Sequence, residues 1–176
     1  GHGSLQRIGL ERTLVDDECV KYLQSMKNLR WLNFEHTLIT DKITQPLGEM
    51  EKLTWLDLGE TSVTDQGIAN LSGLVNLGAL LLHGTQVTDR GIGAIERLKN
   101  LTHLDLGGTR VTDAGLVHLS GLSKLNRLHL GSPSGIWSHQ DDRIKADEVT
   151  KINGRGLSHL SGLDRLERLC LSDSLV

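Results

Sequence analysis

Leucine recurs in this chain at the first, fourth and sixth places of a repeating unit, and a set of polar residues recurs with it. From Leu53 to Lys124 the sequence falls into three rows of twenty-four: LTWLDLGETSVTDQGIANLSGLVN, LGALLLHGTQVTDRGIGAIERLKN and LTHLDLGGTRVTDAGLVHLSGLSK. Slots one, four and six hold Leu, slot nine Thr, slot eleven Val, and slots twelve and thirteen Thr-Asp. The L-x-x-L-x-L part alternates with period two, which predicts a short strand turning slots four and six toward a core. After Thr-Asp, apolar residues come every third position, as in Ile68, Leu71 and Leu74. That spacing predicts short α or 3₁₀ segments rather than a long helix.

The same unit reads across the chain. Repeats span 5–28, 29–52, 53–76, 77–100, 101–124 and 125–165, with a partial seventh at 166–176. Self-similarity at a fixed period in the twenties marks a solenoid in which no repeat buries its own apolar face and each needs its neighbours. The second repeat is irregular after Asp41: Ile43 takes the usual Gly slot, and Pro46 falls where a helix is under way, so a shorter or displaced helix is expected. The sixth carries an insertion, PSGIWSHQDDRIKADEV, at 133–149. Long loops of this kind are functional or disordered. Trp137, His139, Asp141, Asp142 and Arg143 could fold over the sheet or reach a partner, and the mixed charge equally suits a solvated flap. Gly1 to Ser4 reads as a tag remnant and residues 5–176 as a single domain, expected to be part of a longer protein.

Two polar columns have structural explanations. Thr13, Thr37, Thr61, Thr85, Thr109 and Thr150 fill slot nine, where a hydroxyl can satisfy backbone groups that the turn would orphan. Slot twelve holds Asp16, Thr40, Thr64, Thr88, Thr112 and Asn153, all N-cap types. Asp17, Asp41, Asp65, Asp89 and Asp113 follow in slot thirteen, where the positive end of a helix dipole favours an acid.

This pattern, from Leu5 to Leu171, resembles the leucine-rich repeat family. The Thr-Asp-x-Gly-Leu segment is most similar to the cysteine-containing subclass of F-box-type proteins and to related short bacterial repeats. The sequence departs from the family at slot nine, where Thr replaces the usual Asn or Cys. The resemblance implies an α/β fold: a right-handed horseshoe arc with a parallel concave sheet of about seven strands and short outer helices. It also implies that the exposed sheet face binds a partner.

On such a sheet, slots three, five and seven face outward. Slot three reads Arg7, Trp31, Trp55, Ala79, His103, Arg127, Arg168; slot five reads Gly9, Asn33, Asp57, Leu81, Asp105, His129, Cys170; slot seven reads Glu11, Glu35, Gly59, His83, Gly107, Gly131, Ser172. Trp31 and Trp55 should be exposed neighbours, an anchor for a partner or a cross-strand pair that steadies the sheet. Asp57, His83, His103, Asp105 and His129 cluster toward the middle and the C-terminal half, where imidazole and carboxylate can hold a cation. Asp105, His129 and Cys170 place acid, base and thiol in one row, the order a cysteine nucleophile requires. An open sheet offers it no oxyanion donor and no water-excluding pocket.

The expected function is therefore non-enzymatic protein–protein interaction through Trp31, Asn33, Trp55, Asp57, Leu81, His83, His103, Asp105, Arg127 and His129, with Trp137 and His139 of the insertion beside them. No catalytic residue, cofactor or metal is assigned. The alternatives are a metal-binding or thiol-dependent enzyme using the His/Asp/Cys cluster, and a structural spacer within a larger protein.

Composition narrows the partner. With 38% hydrophobic residues but one Phe, one Tyr and three Trp, the core must be aliphatic. A net charge of -3 argues against a nucleic-acid or anionic-membrane footprint. No apolar run approaches the roughly 20 residues that span a bilayer. Gly107-Gly108 and Gly91-x-Gly93 lack the spacing of a phosphate-binding loop. Cys19 and Cys170 sit roughly 29 Å apart in the expected stack, beyond disulfide reach, which favours the cytoplasm weakly. The partner is expected to be a protein and the chain a monomer.

Overall fold

A computed structural model describes residues 4–131 and 151–171. These form one seven-stranded parallel sheet in sequence order: β1 (Arg7–Gly9), β2 (Trp31–Asn33), β3 (Trp55–Asp57), β4 (Ala79–Leu81), β5 (His103–Asp105), β6 (Arg127–His129) and β7 (Arg168–Cys170). Slot matches slot throughout: Trp31 pairs with Trp55, Leu32 with Leu56, and Asn33 with Asp57, and the pairing continues to His129 with Cys170. The insertion at 133–149, with Trp137 and His139, lies outside the described residues, as does Ser172.

The middle residue of each strand from β2 to β6 points into an aliphatic core, while Leu169 of the terminal β7 is exposed. Leu32, Leu56, Leu80, Leu104 and Leu128 are all buried there. Phe34, Leu58, Leu82, Leu106 and Leu130 from slot six join them, and Ile68, Leu71, Ile92 and Ile95 pack from the outer layer. This is the leucine-rich repeat solenoid, an α/β fold with a parallel sheet on one side and short helices on the other.

The outer helices are α1 (Val20–Leu23), α2 (Asp41–Gly48), α3 (Asp65–Asn70) and α4 (Asp89–Ala94), with 3₁₀ turns at Leu71–Gly73, Ile95–Arg97, Gly115–Leu119 and Arg155–Leu160. Slot twelve caps them as its residue types predict: Thr64 Oγ1 accepts from the Gln66 N–H at 3.3 Å and Thr88 Oγ1 from the Arg90 N–H at 3.3 Å. One expectation is corrected. α2, with Pro46 inside it, is longer than the other three α-helices, spanning eight residues. Proline removes only the donor to the carbonyl of Lys42, an exposed residue where water can replace it, while Ile43, Thr44 and Leu47 hold the helix against the core.

The two repeated polar columns bond differently. In slot nine each hydroxyl returns to its own strand: Thr37, Thr61, Thr85 and Thr109 donate to the carbonyls of Phe34, Leu58, Leu82 and Leu106, each at 2.6 Å. The slot-thirteen acids reach forward instead. Asp41 Oδ1 accepts from the Thr64 N–H at 2.8 Å and Oδ2 from the Thr64 hydroxyl at 2.7 Å. Asp17, Asp65 and Asp89 clamp Thr40, Thr88 and Thr112 in the same way. Glycine in slot fifteen makes room: a Cβ on Gly67 would lie 2.3 Å from Asp41 Oδ1, and one on Gly91 would lie 2.4 Å from Asp65 Oδ1. The Thr-Asp-x-Gly motif is thus an inter-repeat clasp, beyond the dipole role read from sequence.

Slot eight turns the chain through left-handed backbone, with φ of 57° at Arg12, 53° at His36, 53° at Glu60, 64° at Gly84 and 65° at Gly108. Only the later repeats meet this demand with glycine. The earlier ones hold non-glycine residues in a conformation that costs on the order of 1 kcal/mol or more each.

Candidate partner-binding face

Each strand is three residues long, so its two end residues turn away from the core. In slot three they make a pile along the sheet. The Arg7 guanidinium lies 4.6 Å from the Trp31 ring, and Trp31 and Trp55 stack at 4.4 Å with 13° between their planes. Both indoles are half-buried, with surface left to solvent. The row then drops to Ala79 and rises again at His103, Arg127 and Arg168.

The Thr102 hydroxyl lies 2.9 Å from the Gly78 carbonyl oxygen and 2.8 Å from His103 Nδ1, which fixes the ring against its own strand. Partial burial and the Arg127 guanidinium hold the ring below the usual imidazole range, so it is neutral at pH 7.

The slot-five row is not the exposed surface expected. Asn33, Asp57, Leu81, Asp105 and His129 are all buried, as is His83 in slot seven. They face away from the leucine core, but side chains set a strand spacing apart shade one another. Their carboxylates and amide close back on the chain. Asn33 Oδ1, Asp57 Oδ1 and Asp105 Oδ1 accept from the N–H of Glu35, Gly59 and Gly107 at 2.8, 2.8 and 2.9 Å.

His83 is the centre of an unusual polar group. Its ring lies across Gly59, where a Cβ would come within 2.1 Å of His83 Cε1. From there Nε2 stands 3.8 Å from Glu35 Oε1 and Nδ1 stands 3.9 Å from Asp105 Oδ2. These are ion-pair distances, too long for hydrogen bonds, and all four atoms are buried without a hydrogen-bond partner. Burial pushes the imidazole down, but Glu35, Asp105 and Asp57 outweigh it and hold its pKa up at about 9. His83 in turn holds Glu35 below its usual range. Burial raises Asp57 to about 7, against the opposing pull of His83 and the Gly59 N–H. A charged imidazolium between two carboxylates therefore links β2 to β5, and His129 Nδ1, 2.8 Å from Asp105 Oδ1, extends the line to β6.

Sequence reasoning brought Asp57, His83, Asp105 and His129 together. It passed over Glu35 and Arg7 as site residues, although both stand in the outward rows. The signal for Glu35 was Gly59 in slot seven, a gap that lets a side chain reach two strands away.

The other constellations close less well. Among the described residues, no three His, Cys, Asp or Glu side chains converge as a metal ion requires. Asp105 and His129 do form an acid–base pair, but no hydrogen bond joins His129 to Cys170. Both cysteines are free thiols. Burial and the nearby Asp16 and Asp17 push Cys19 up to about 11, so it is no nucleophile at neutral pH. Among the described residues no helix is long and apolar enough to cross a membrane.

The fold has relatives of known structure. An internalin (inlF) from Listeria monocytogenes superposes with a TM-score of 0.76 at 26% identity, covering 98% of this chain and 43% of that one. A second, internalin C2 (inlC2) from the same organism, gives 0.63 at 24% identity, covering 99% of this chain and 74% of that one. The chain thus spans less than half the length of the first, and the second likeness speaks for fold alone. No family model and no curated protein matches the sequence.

Proposed function

We propose that this chain is a non-enzymatic protein-interaction module that docks its partner on the concave sheet face. The observation that carries this reading is the Trp31–Trp55 stack, capped by Arg7 and left half open on a face with no helix over it among the described residues. Stacked indoles present a large rigid surface at small entropic cost, and tryptophan and arginine are the residues that most often anchor interfaces. Trp31, Trp55, His103 and Arg127 make first contact. Asn33, Asp57, Leu81, His83, Asp105 and His129 lie beneath them as a floor that sets the local charge. The Thr-Asp-x-Gly segment and the likeness to internalins favour the short bacterial subclass of repeat over the F-box type.

The test is a pull-down with the tagged chain from its native extract, comparing wild type with a Trp31→Ala, Trp55→Ala variant. Truncating two anchors of this kind is expected to weaken partner recovery at least tenfold, since each anchor contributes about 2 kcal/mol or more. Recovery unchanged in a variant that folds would leave the stack a cross-strand strut and favour the spacer reading.

A further inference from the structure

Asn153 is the only asparagine of this chain followed by glycine; the others precede Leu, Phe or Arg. An Asn-Gly pair is chemically labile. The main-chain nitrogen of the following residue can attack the asparagine side-chain carbonyl carbon, and a side chain on that residue obstructs the approach. Glycine has no Cβ to stand in the way.

The fold leaves this pair open to the reaction. Asn153 is exposed. Its Oδ1 accepts from the Arg155 N–H at 3.3 Å, a turn that holds the side-chain carbonyl close to its own backbone. Among the described residues nothing accepts from the Gly154 N–H, so the attacking nitrogen is not engaged. Asn76 and Asn100 are exposed too, but each precedes Leu. Each also ties its amide nitrogen to a carbonyl, that of Glu51 at 3.0 Å and that of Val75 at 2.8 Å.

Its position gives the reaction a consequence. Asn153 stands in slot twelve, where Thr40, Thr64, Thr88 and Thr112 meet the acid of the preceding repeat. Those hydroxyls donate to the carboxylate at 2.6–2.7 Å. A carboxylate in that slot has no proton to donate and sets a like charge beside Asp113. Asp113 is already committed: Oδ2 accepts from the Asn153 N–H at 3.1 Å and Oδ1 from the Gly156 N–H at 2.7 Å. Aspartate caps a helix about as well as asparagine, so the change falls on the clasp. The chain carries an acid in slot twelve at Asp16, where no described residue of an earlier repeat faces it.

We propose that Asn153 is a site of spontaneous deamidation that loosens the joint between the fifth and sixth repeats. The Gly154 nitrogen gives up its proton to solvent and bonds to Asn153 Cγ. The side-chain Cγ–N bond breaks, ammonia leaves, and a five-membered imide closes. Water then adds to one imide carbonyl, opening the ring to aspartate or to isoaspartate, in which the main chain runs through the former side chain. One water is consumed and one ammonia released, with no change of oxidation state. The unit set loose is the 3₁₀ turn Arg155–Leu160 with β7, which carries Arg168 of the slot-three row.

The test incubates the intact chain at neutral and at mildly alkaline pH and follows it by peptide mass mapping. The peptide holding Asn153 should gain one mass unit, as NH₂ becomes OH, well before those holding Asn76 and Asn100, and faster at the higher pH. The product carries one more negative charge and is separated by ion exchange for hydrogen-exchange measurement. The amides of Gly156 and Arg168, bonded to Asp113 Oδ1 and to the Asn126 carbonyl, should exchange about fivefold faster than in the unaged chain. Asn153→Asp should reproduce that acceleration, and high salt should reduce it. Asn153→Thr, which restores the residue of the other repeats, should end the early mass gain and keep exchange slow. A gain at Asn153 no earlier than at Asn76 and Asn100, or unchanged exchange in the deamidated chain, would overturn the proposal.

Discussion

Leu80 and Leu81 are neighbours in β4, 0% and 2% exposed, and they are buried by different things. Leu80 belongs to the column Leu32, Leu56, Leu80, Leu104, Leu128, where the same residue meets itself from repeat to repeat. Leu81 lies on the opposite face in a row that reads Asn33, Asp57, Leu81, Asp105, His129. One dry layer is chemically uniform, and the other changes at every strand. Uniformity is what stacking demands, because each turn must offer its neighbour the surface it receives. Variety on an equally dry surface is not needed for stacking, so the individual character of this protein is concentrated there.

The sharpest way to break that comparison is to truncate both residues. Leu80→Ala leaves a hole walled by Leu56, Leu104 and the outer helices, which cannot collapse into it. Such losses run to about 2–5 kcal/mol, and Leu80 is expected in the upper half. Leu81→Ala opens onto the sheet face, where shading side chains can settle into the space, and should cost about half as much. Urea denaturation of both variants decides it. Equal losses would mean that the outward layer is as tightly interlocked as the core.

The next effect is smaller and belongs to the outward layer alone. His83 faces Glu35 from the turn after β2, Asp57 from β3 and Asp105 from β5, with His129 beyond Asp105. Its pKa is raised in the folded chain, so its protonation stabilises the fold. That contribution is complete below the ordinary value of 6.5 and is lost as pH rises through about 9. Asp57, raised to about 7, is half ionised at pH 7 and completes its ionisation over the first unit of the window, so above about pH 8 the loss is His83's. Stability should therefore fall between pH 7 and pH 9.5, by on the order of 2 kcal/mol, in urea titrations at fixed salt. A His83→Gln variant should lose the part of the fall centred near pH 9, leaving only the ionisation of Asp57, which no longer has the imidazolium to hold it down. A wild-type curve that is flat, or that rises, would contradict an imidazolium held between carboxylates.

How much of this was legible follows the same division. The repeat announced the strands, their register and the inward leucines, because one aliphatic column satisfies every repeat alike. Thr in slot nine was readable for the same reason: a hydroxyl three residues past a carbonyl has one obvious acceptor. The clasp from Asp41 to Thr64 was less readable. Both residues were assigned to capping their own helix, and only the stacking distance shows the acid turned to the next repeat. The burial of Asp57 and His83 was not readable. Alternation tells which side of a sheet a residue is on, but not whether a side chain from a neighbouring strand, such as the His83 ring lying across Gly59, closes over that side. Pro46 misled because proline was weighed as a lost hydrogen bond, without the packing of Ile43 and Leu47 that outweighs it.

Gly59 gives the finest test of the contrast, since glycine is where the outward layer departs from simple shading. The His83 ring occupies the space a Cβ would take there. Gly59→Ala must therefore push the ring away from its position beside Glu35. The φ at this residue is not left-handed, so the expected cost comes from the displaced ring and is about 1–3 kcal/mol. Removing the ring first should remove most of that cost: in a His83→Ala background, Gly59→Ala is expected to be nearly neutral. The coupling from the four urea curves, wild type, both single variants and the double, should then approach the full single-variant loss. Additive losses would mean that Gly59 is glycine for some reason of its own, and that the crossing of His83 to Glu35 is incidental to it.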